Sequence, residues 1–280
     1  MRKQKAQEMT LELEVPGVLG PGSVSVILPV FRGATFIQRS LEELLAWLHR
    51  CGRPFEVLVV DDGSDDNTVQ RVQEVQALGH SGIRLLENPR NQGKGAAVRQ
   101  GMLAAEGEYR VFLDCDLPFG LEALSRIIGA LEAGADLAMG SRVHPESLYI
   151  INPNMFALFT TRHWLSRLAN RVIRLCVPGL SDTQAGLKGF RWKTAQYIFR
   201  RQRLNRFSFD VEILRIAQVA GLRIVDVPVQ YRYTSEPSTV EFVRDSLLML
   251  RDLVRIKVWE TQGQWENPQT VESETELLSS

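Results

Sequence analysis

The strongest constraint on this chain is an alternation in its first half. Short apolar, β-branched runs take turns with segments of helical period. Residues 23–30, 55–60, 83–87, 109–113 and 136–140 read as strands. Residues 34–49, 67–76, 95–105 and 121–131 read as the helices between them. In the first helix Ile37, Leu41, Leu44, Leu45 and Leu48 share one face. Strands joined through helices of this length need crossover connections, so the sheet is expected to be mainly parallel. Strands buried on both faces read as continuous apolar runs, as these do. The expected class is therefore α/β, a mainly parallel sheet flanked by helices.

The second half is less regular. Helices are expected over 156–175, 211–219 and 240–259, and strands over 185–191 and 223–233. No linker interrupts the pattern, which predicts a single domain over 23–259. Residues 1–22 read as a flexible tail ending in Pro16, Gly17, Gly20, Pro21 and Gly22. Residues 260–280 read as an acidic, disordered tail without Lys or Arg. The charge balance, 33 basic against 33 acidic residues, argues against a nucleic-acid partner. Cys51, Cys115 and Cys176 are scattered, so neither a zinc site nor a disulfide framework is implied, and a cytoplasmic setting fits. No apolar run approaches the roughly 20 residues of a spanning helix.

In an open parallel sheet, ligands sit outside the carboxyl ends of the strands. Three polar clusters follow strand ends here. In Asp61-Asp62-Gly63-Ser64-Asp65-Asp66, a turn and a helix cap account for Gly63 and Asp66. They leave Asp61 and Asp62, whose mutual repulsion is costly, without a structural reason. Asn91-Gln92-Gly93-Lys94-Gly95 fails both the phosphate-loop and the dinucleotide patterns. It remains a glycine-rich helix entry with a lysine, which suits an anion as well as a plain tight loop. In Asp114-Cys115-Asp116, two carboxylates one residue apart can share a divalent cation with phosphate oxygens, although an acidic turn alone would look the same.

Together these residues resemble the inverting family 2 nucleotide-sugar glycosyltransferases. The resemblance spans about residues 23–258. It rests on Val59-Val60-Asp61-Asp62-Gly63-Ser64, Asn91-Gln92-Gly93-Lys94-Gly95, Asp114-Cys115-Asp116 and Gly140-Ser141-Arg142. Asp182-Thr183-Gln184-Ala185-Gly186-Leu187-Lys188 and Phe209-Asp210-Val211-Glu212 are similar to the branch that loads sugars onto dolichyl or polyprenyl phosphates. The resemblance implies a GT-A-like fold and a metal-dependent transfer from a UDP-glucose or GDP-mannose type donor to a polyprenyl phosphate. Mg²⁺ or Mn²⁺ would be held by Asp114 and Asp116. Pro29, Asp61, Asp62, Lys94, Asp114 and Asp116 would bind the donor nucleotide, with Asp61 or Asp62 on the base. Arg142, Asp182 and Lys188 would be catalytic, and Gln184, Asp210 and Glu212 would lie toward the acceptor. The run Pro29-Val30-Phe31-Arg32-Gly33 departs from the family's usual Pro-x-Tyr/Phe-Asn-Glu and leaves the base open.

Two acceptor chemistries stay open. A phosphate is already ionised at pH 7 and needs cations to hold it. A small hydroxyl acceptor needs a carboxylate base within hydrogen-bond reach, for which Asp182 and then Glu212 are the candidates. A non-catalytic binding protein of the same fold is the third alternative. Arg167, Arg171 and Arg174 form a stripe on the helix expected over 156–175, either a solvated face or an approach for an anionic acceptor with Arg171 innermost. A lipid acceptor would bring peripheral contact with the cytoplasmic membrane face. The amphipathic 240–259 helix, with Val243, Leu247, Leu250 and Val254 beside Arg244, Arg251 and Arg255, either supplies that contact or packs on the sheet.

Overall fold

The computed structural model describes residues 19–79, 82–151, 173, 176–233 and 242–265. The expected alternation is present: β1 (Val24–Val30), α1 (Ile37–Cys51), β2 (Phe55–Asp61), α2 (Thr68–Ala77), β3 (Ile83–Glu87), α3 (Lys94–Ala104), β4 (Tyr109–Leu113), α4 (Glu122–Glu132) and β5 (Leu137–Ser141). Then follow β6 (Leu148–Ile151), β7 (Leu187–Arg191), α5 (Trp192–Arg201), α6 (Phe209–Val219), β8 (Ile224–Pro228), β9 (Gln230–Tyr233) and α7 (Phe242–Thr261).

Seven strands form one sheet in the order β3-β2-β1-β4-β7-β5-β8. All neighbours run parallel except β7, which lies antiparallel between β4 and β5. Strand residues alternate between the two faces. Val26, Leu28, Val57 and Val59 pack with Leu41 and Leu44 of α1 and Ile127 of α4. Ile27, Leu58, Val60 and Phe112 face the other way, onto Val98 and Met102 of α3, Phe199 of α5 and Phe209 of α6. Each such fully buried side chain contributes about 1.5–3 kcal/mol.

The segment expected as one strand over 223–233 is two. Pro228, which has no N–H to continue a ladder, ends β8, and β9 pairs instead with β6 in a separate parallel ribbon. Helix α5 was not expected; it starts directly after β7 with no turn residue to announce it. Packed structure also continues past residue 259. Helix α7 reaches Thr261, and Trp265 is buried with its ring 6.5 Å from that of Trp259. Residues 1–18, 266–280, and all but residue 173 of the helix expected over 156–175 lie outside the described residues, and Arg167, Arg171 and Arg174 with them.

Candidate active site

The polar clusters converge where β1, β2 and β4 end and β7 begins. Asp61 and Asp62 are both buried but point to different partners. Asp62 accepts hydrogen bonds from Asn88 Nδ2 (2.9 Å), the Gln92 N–H (2.9 Å) and the Gly93 N–H (2.7 Å). It therefore holds the 88–93 loop onto the end of β2. Asp61 Oδ2 accepts from the N–H groups of Gly63 (3.1 Å) and Ser64 (2.9 Å), while its buried Oδ1 has no partner among the described residues. Of the two, Asp61 is the one with an unused acceptor. Asn88 was missed in the sequence, although it is a polar residue directly at the end of the third strand. Pro29 is buried inside β1, short of the strand's end, so its ring stays in the sheet.

The opposite wall is built by the antiparallel register. Phe112 pairs with Lys188 and Leu113 with Leu187, which sets Gly186 beside Asp114. The Asp114 N–H donates to the Gly186 carbonyl at 2.9 Å. A Cβ on residue 186 would lie 1.9 Å from Asp114 Oδ2, so only glycine leaves room for this carboxylate. Lys94, the first residue of α3, places Nζ 2.5 Å from Asp114 Oδ1. Burial disfavours the Lys94 charge, but Asp114 and Asp210 outweigh it and hold the ammonium above its ordinary range. Asp116 is half-buried on the same turn, which Leu117 closes with φ +51°, an unusual angle for a leucine. Among the described residues no group of three or more His, Cys, Asp and Glu is placed to hold a metal ion by itself. Two carboxylates with room for phosphate oxygens suit Mg²⁺ or Mn²⁺, hard cations that take few protein ligands when they bind a diphosphate.

Lys188 is fully buried. Its Nζ donates to Asp210 Oδ1 (2.5 Å) and the Ala185 carbonyl (2.8 Å) and lies 5.4 Å from the Phe112 ring centroid. Burial weighs against charge on both partners, lowering Lys188 and raising Asp210. Glu212 is buried too, and its oxygens accept from the Arg203 (2.9 Å) and Leu204 (2.7 Å) N–H groups. Burial nevertheless pushes its pKa up to about 7. Asp210 and Glu212, expected toward the acceptor, thus both make hydrogen bonds within the protein. Gln184 Nε2 reaches Met249 Sδ of α7 at 3.4 Å.

Asp182 is held most tightly. Arg142 meets it with Nε (2.8 Å), Nη2 (2.7 Å) and its backbone N–H (2.8 Å). Burial works against ionisation, but Arg142 prevails and keeps the Asp182 carboxyl below its usual range. The Arg142 guanidinium sits 5.5 Å over the Tyr231 ring, and the Arg232 N–H bonds the Pro118 carbonyl at 2.7 Å, so β9 joins the carboxylate turn to this ion pair. Tyr231 and Asp226, whose carboxyl is raised by burial and by Asp182, were also missed in the sequence. Both lie on strands whose pairing partners are some 80 residues away.

The arrangement can hold a base at Asp61, a diphosphate between Lys94 and the Asp114–Asp116 turn, and an anion near Arg142. Solved structures with this fold include glucosyl-3-phosphoglycerate synthase from Mycobacterium tuberculosis in complex with Mn²⁺, UDP-glucose and phosphoglyceric acid. It matches with a TM-score of 0.62 at 19% identity, over 84% of this chain and 79% of that one. Sequence relatives are closer. Dolichyl-phosphate β-glucosyltransferase of Mus musculus is 32% identical over 262 residues, 88% of this chain and 78% of that protein. The Drosophila melanogaster enzyme of the same name is 33% identical over 261 residues, 86% of this chain and 76% of that protein. The family model for glycosyl transferase family 2 matches residues 25–198, a stretch that holds Asp61, Lys94, the Asp114–Asp116 turn, the Arg142–Asp182 pair and Lys188. With the motifs, the strand-end geometry and these matches in agreement, the chain belongs to glycosyl transferase family 2 and is a glycosyltransferase.

Proposed function

We propose that this chain transfers glucose from UDP-glucose to a polyprenyl phosphate, with inversion, in one displacement. The observation that carries the choice of acceptor is the Arg142–Asp182 ion pair. A hydroxyl acceptor needs a carboxylate base, yet Asp182 is bonded three times by Arg142 and kept below its ordinary pKa range. Glu212, the other candidate, is buried and accepts two backbone N–H groups. A phosphate acceptor needs no base, because its oxygen is already anionic. Relatives named dolichyl-phosphate β-glucosyltransferase support that acceptor and that sugar. The solved neighbour bound to UDP-glucose supports the donor.

In this reading Asp61 Oδ1 receives the base, and the end of β2 orients the nucleotide. Asp114 and Asp116 would hold Mg²⁺ or Mn²⁺, which neutralises charge on the diphosphate as it leaves. Lys94 faces the same diphosphate as a preorganised cation. The acceptor oxygen approaches from the Arg142 side and attacks the anomeric carbon. The bond from that carbon to the diphosphate oxygen breaks, and UDP departs with the electron pair. An α-linked donor gives a β-linked product. Lys188 and Asp210 support the floor of the site from below, and peripheral contact with a lipid surface would deliver the acceptor.

The test is transfer by the purified chain with UDP-glucose or GDP-mannose and Mg²⁺ or Mn²⁺, offered short polyprenyl phosphates, polyprenols and simple sugars. A β-glucosyl phosphate product from UDP-glucose is expected, with loss on chelation and in Asp116→Asn. Transfer to hydroxyls with none to polyprenyl phosphate would overturn the reading.

A further inference from the structure

We propose that Lys94 stands in for the divalent cation on Asp114 until the donor arrives, so that metal and nucleotide load together. The inference rests on the reading above in one respect, that Asp114 and Asp116 are the metal-holding pair. Lys94 opens α3, at the end of a helix where the dipole disfavours a positive charge. Helix stability therefore does not explain a lysine there. What it does have is Asp114 Oδ1 at 2.5 Å.

Neither partner has an easy alternative. The Asp114 carboxylate is walled by the backbone of Gly186, where a Cβ would stand 2.3 Å from its Cγ. The Lys94 backbone is fixed as well. Gly93, before it, takes φ +106° and donates its N–H to Asp62, and the Ala96 N–H, after it, donates to the Asn205 carbonyl at 3.0 Å. Lys188 cannot substitute, because its Nζ already bonds Asp210 and the Ala185 carbonyl.

A divalent cation on Asp114 Oδ1 needs the lone pairs that now accept from Lys94. An ammonium at hydrogen-bond distance from the same oxygen would also repel it. Metal alone must therefore break the ion pair against the lysine's charge. A nucleoside diphosphate changes the balance by giving Lys94 another anion to face. Metal and nucleotide then favour each other's binding, and the coupling is reciprocal. Lys94 is a positioning residue that couples the loading of metal and nucleotide as well as a cation for the diphosphate.

The experiment measures binding of Mn²⁺ alone, and of Mn²⁺ with UDP, by electron paramagnetic resonance of the free ion. The parent and Lys94→Met are compared, with thermal melts to check folding. Lys94→Gln removes the same charge if the methionine variant fails to fold. The parent should bind Mn²⁺ weakly alone and much more tightly with UDP. Lys94→Met should bind Mn²⁺ alone about tenfold or more tighter, and UDP should then add little. Unchanged Mn²⁺ affinity in the lysine variants, with normal UDP-dependent Mn²⁺ binding by the parent, overturns this inference alone. No Mn²⁺ binding by the parent even with UDP overturns the metal site and the inference together.

Discussion

Successive residues of a strand face opposite ways, and at the end of β2 that geometry divides two adjacent carboxylates between tasks. Asp62 turns toward the 88–93 loop and takes three donors, while Asp61 keeps one buried oxygen without a partner among the described residues. A pair read in sequence as one acidic motif is thus one structural anchor and one carboxylate with an unused acceptor. The same division holds in α6, where Asp210 neutralises Lys188 and Glu212 pins backbone. Glu212 gives a pH prediction. Its folded pKa is raised from 4.5 to about 7 by burial, against the pull of two backbone N–H donors. Between those values the folded state binds more protons than the unfolded one, so stability falls as pH rises from about 4.5 to about 7. For a shift of this size the fall amounts to a few kcal/mol at most. Glu212→Gln should flatten that part of the profile, measured as denaturation midpoints between pH 5 and 8. Because the readout is the slope, a fixed penalty for the amide drops out. An unchanged slope would show that the carboxyl titrates elsewhere.

At the level of elements, the site depends on one antiparallel strand in an otherwise parallel sheet. Helix–strand alternation made β1 to β5 legible, because crossover connections and continuous apolar runs are local signals. The position of β7 between β4 and β5 was not legible, since Leu187–Arg191 carries no mark of its direction or neighbours. For the same reason the burial of Lys188, a catalytic candidate in sequence, was not legible there. Its partner Asp210 lies 22 residues on, and the Phe112 ring that covers it lies on another strand. Asp182 and Arg142 were each legible as candidates, but their ion pair, 40 residues apart, was not. The β4–β7 register leads to a direct test at Gly186. Its Cβ would meet the Asp114 carboxylate at 1.9–2.5 Å, so Gly186→Ala must push that carboxylate out of place. The backbone φ there is not left-handed, and the cost to stability should stay near the about 1–3 kcal/mol of other overpacked sites. Transfer should fall by about 100-fold or more, as misplacement by an ångström does. Parental activity in Gly186→Ala would mean that Asp114 is not needed where it stands.

Over the whole molecule the charges balance, and within the site most cations already face a carboxylate: Lys94 with Asp114, Lys188 with Asp210, Arg142 with Asp182. Under the proposed reading, an anionic acceptor would be drawn in by local rearrangement of these ion pairs and not by the net charge of the chain. A lipid acceptor must be met at its own surface, and no helix among the described residues is long and apolar enough to cross a membrane. Helix α7 offers a different contact. Its Leu253 and Ile256 are buried against the core, while Leu250, Val254 and Val258, at i, i+4 and i+8, are 47%, 64% and 44% exposed. Of the residues expected to form an apolar stripe on this helix, Leu250 and Val254 therefore face outward and do not pack on the sheet. Arg251 and Arg255 flank them, although both lean on Asp252, at 3.2 and 3.5 Å, which dilutes their charge. Met249, on the buried side with Leu253 and Ile256, touches Gln184, so helix α7 packs against the loop that carries Asp182. The expected behaviour is cosedimentation with anionic vesicles at low salt. It should weaken as ionic strength rises through physiological values, where charges are screened beyond about 8 Å. Val254→Asp should reduce it severalfold by placing a carboxylate in the apolar stripe, without touching transfer to short, water-soluble polyprenyl phosphates. If the parent stays in the supernatant at low salt, or if Val254→Asp sediments as the parent does, this face of α7 is not where the enzyme meets lipid.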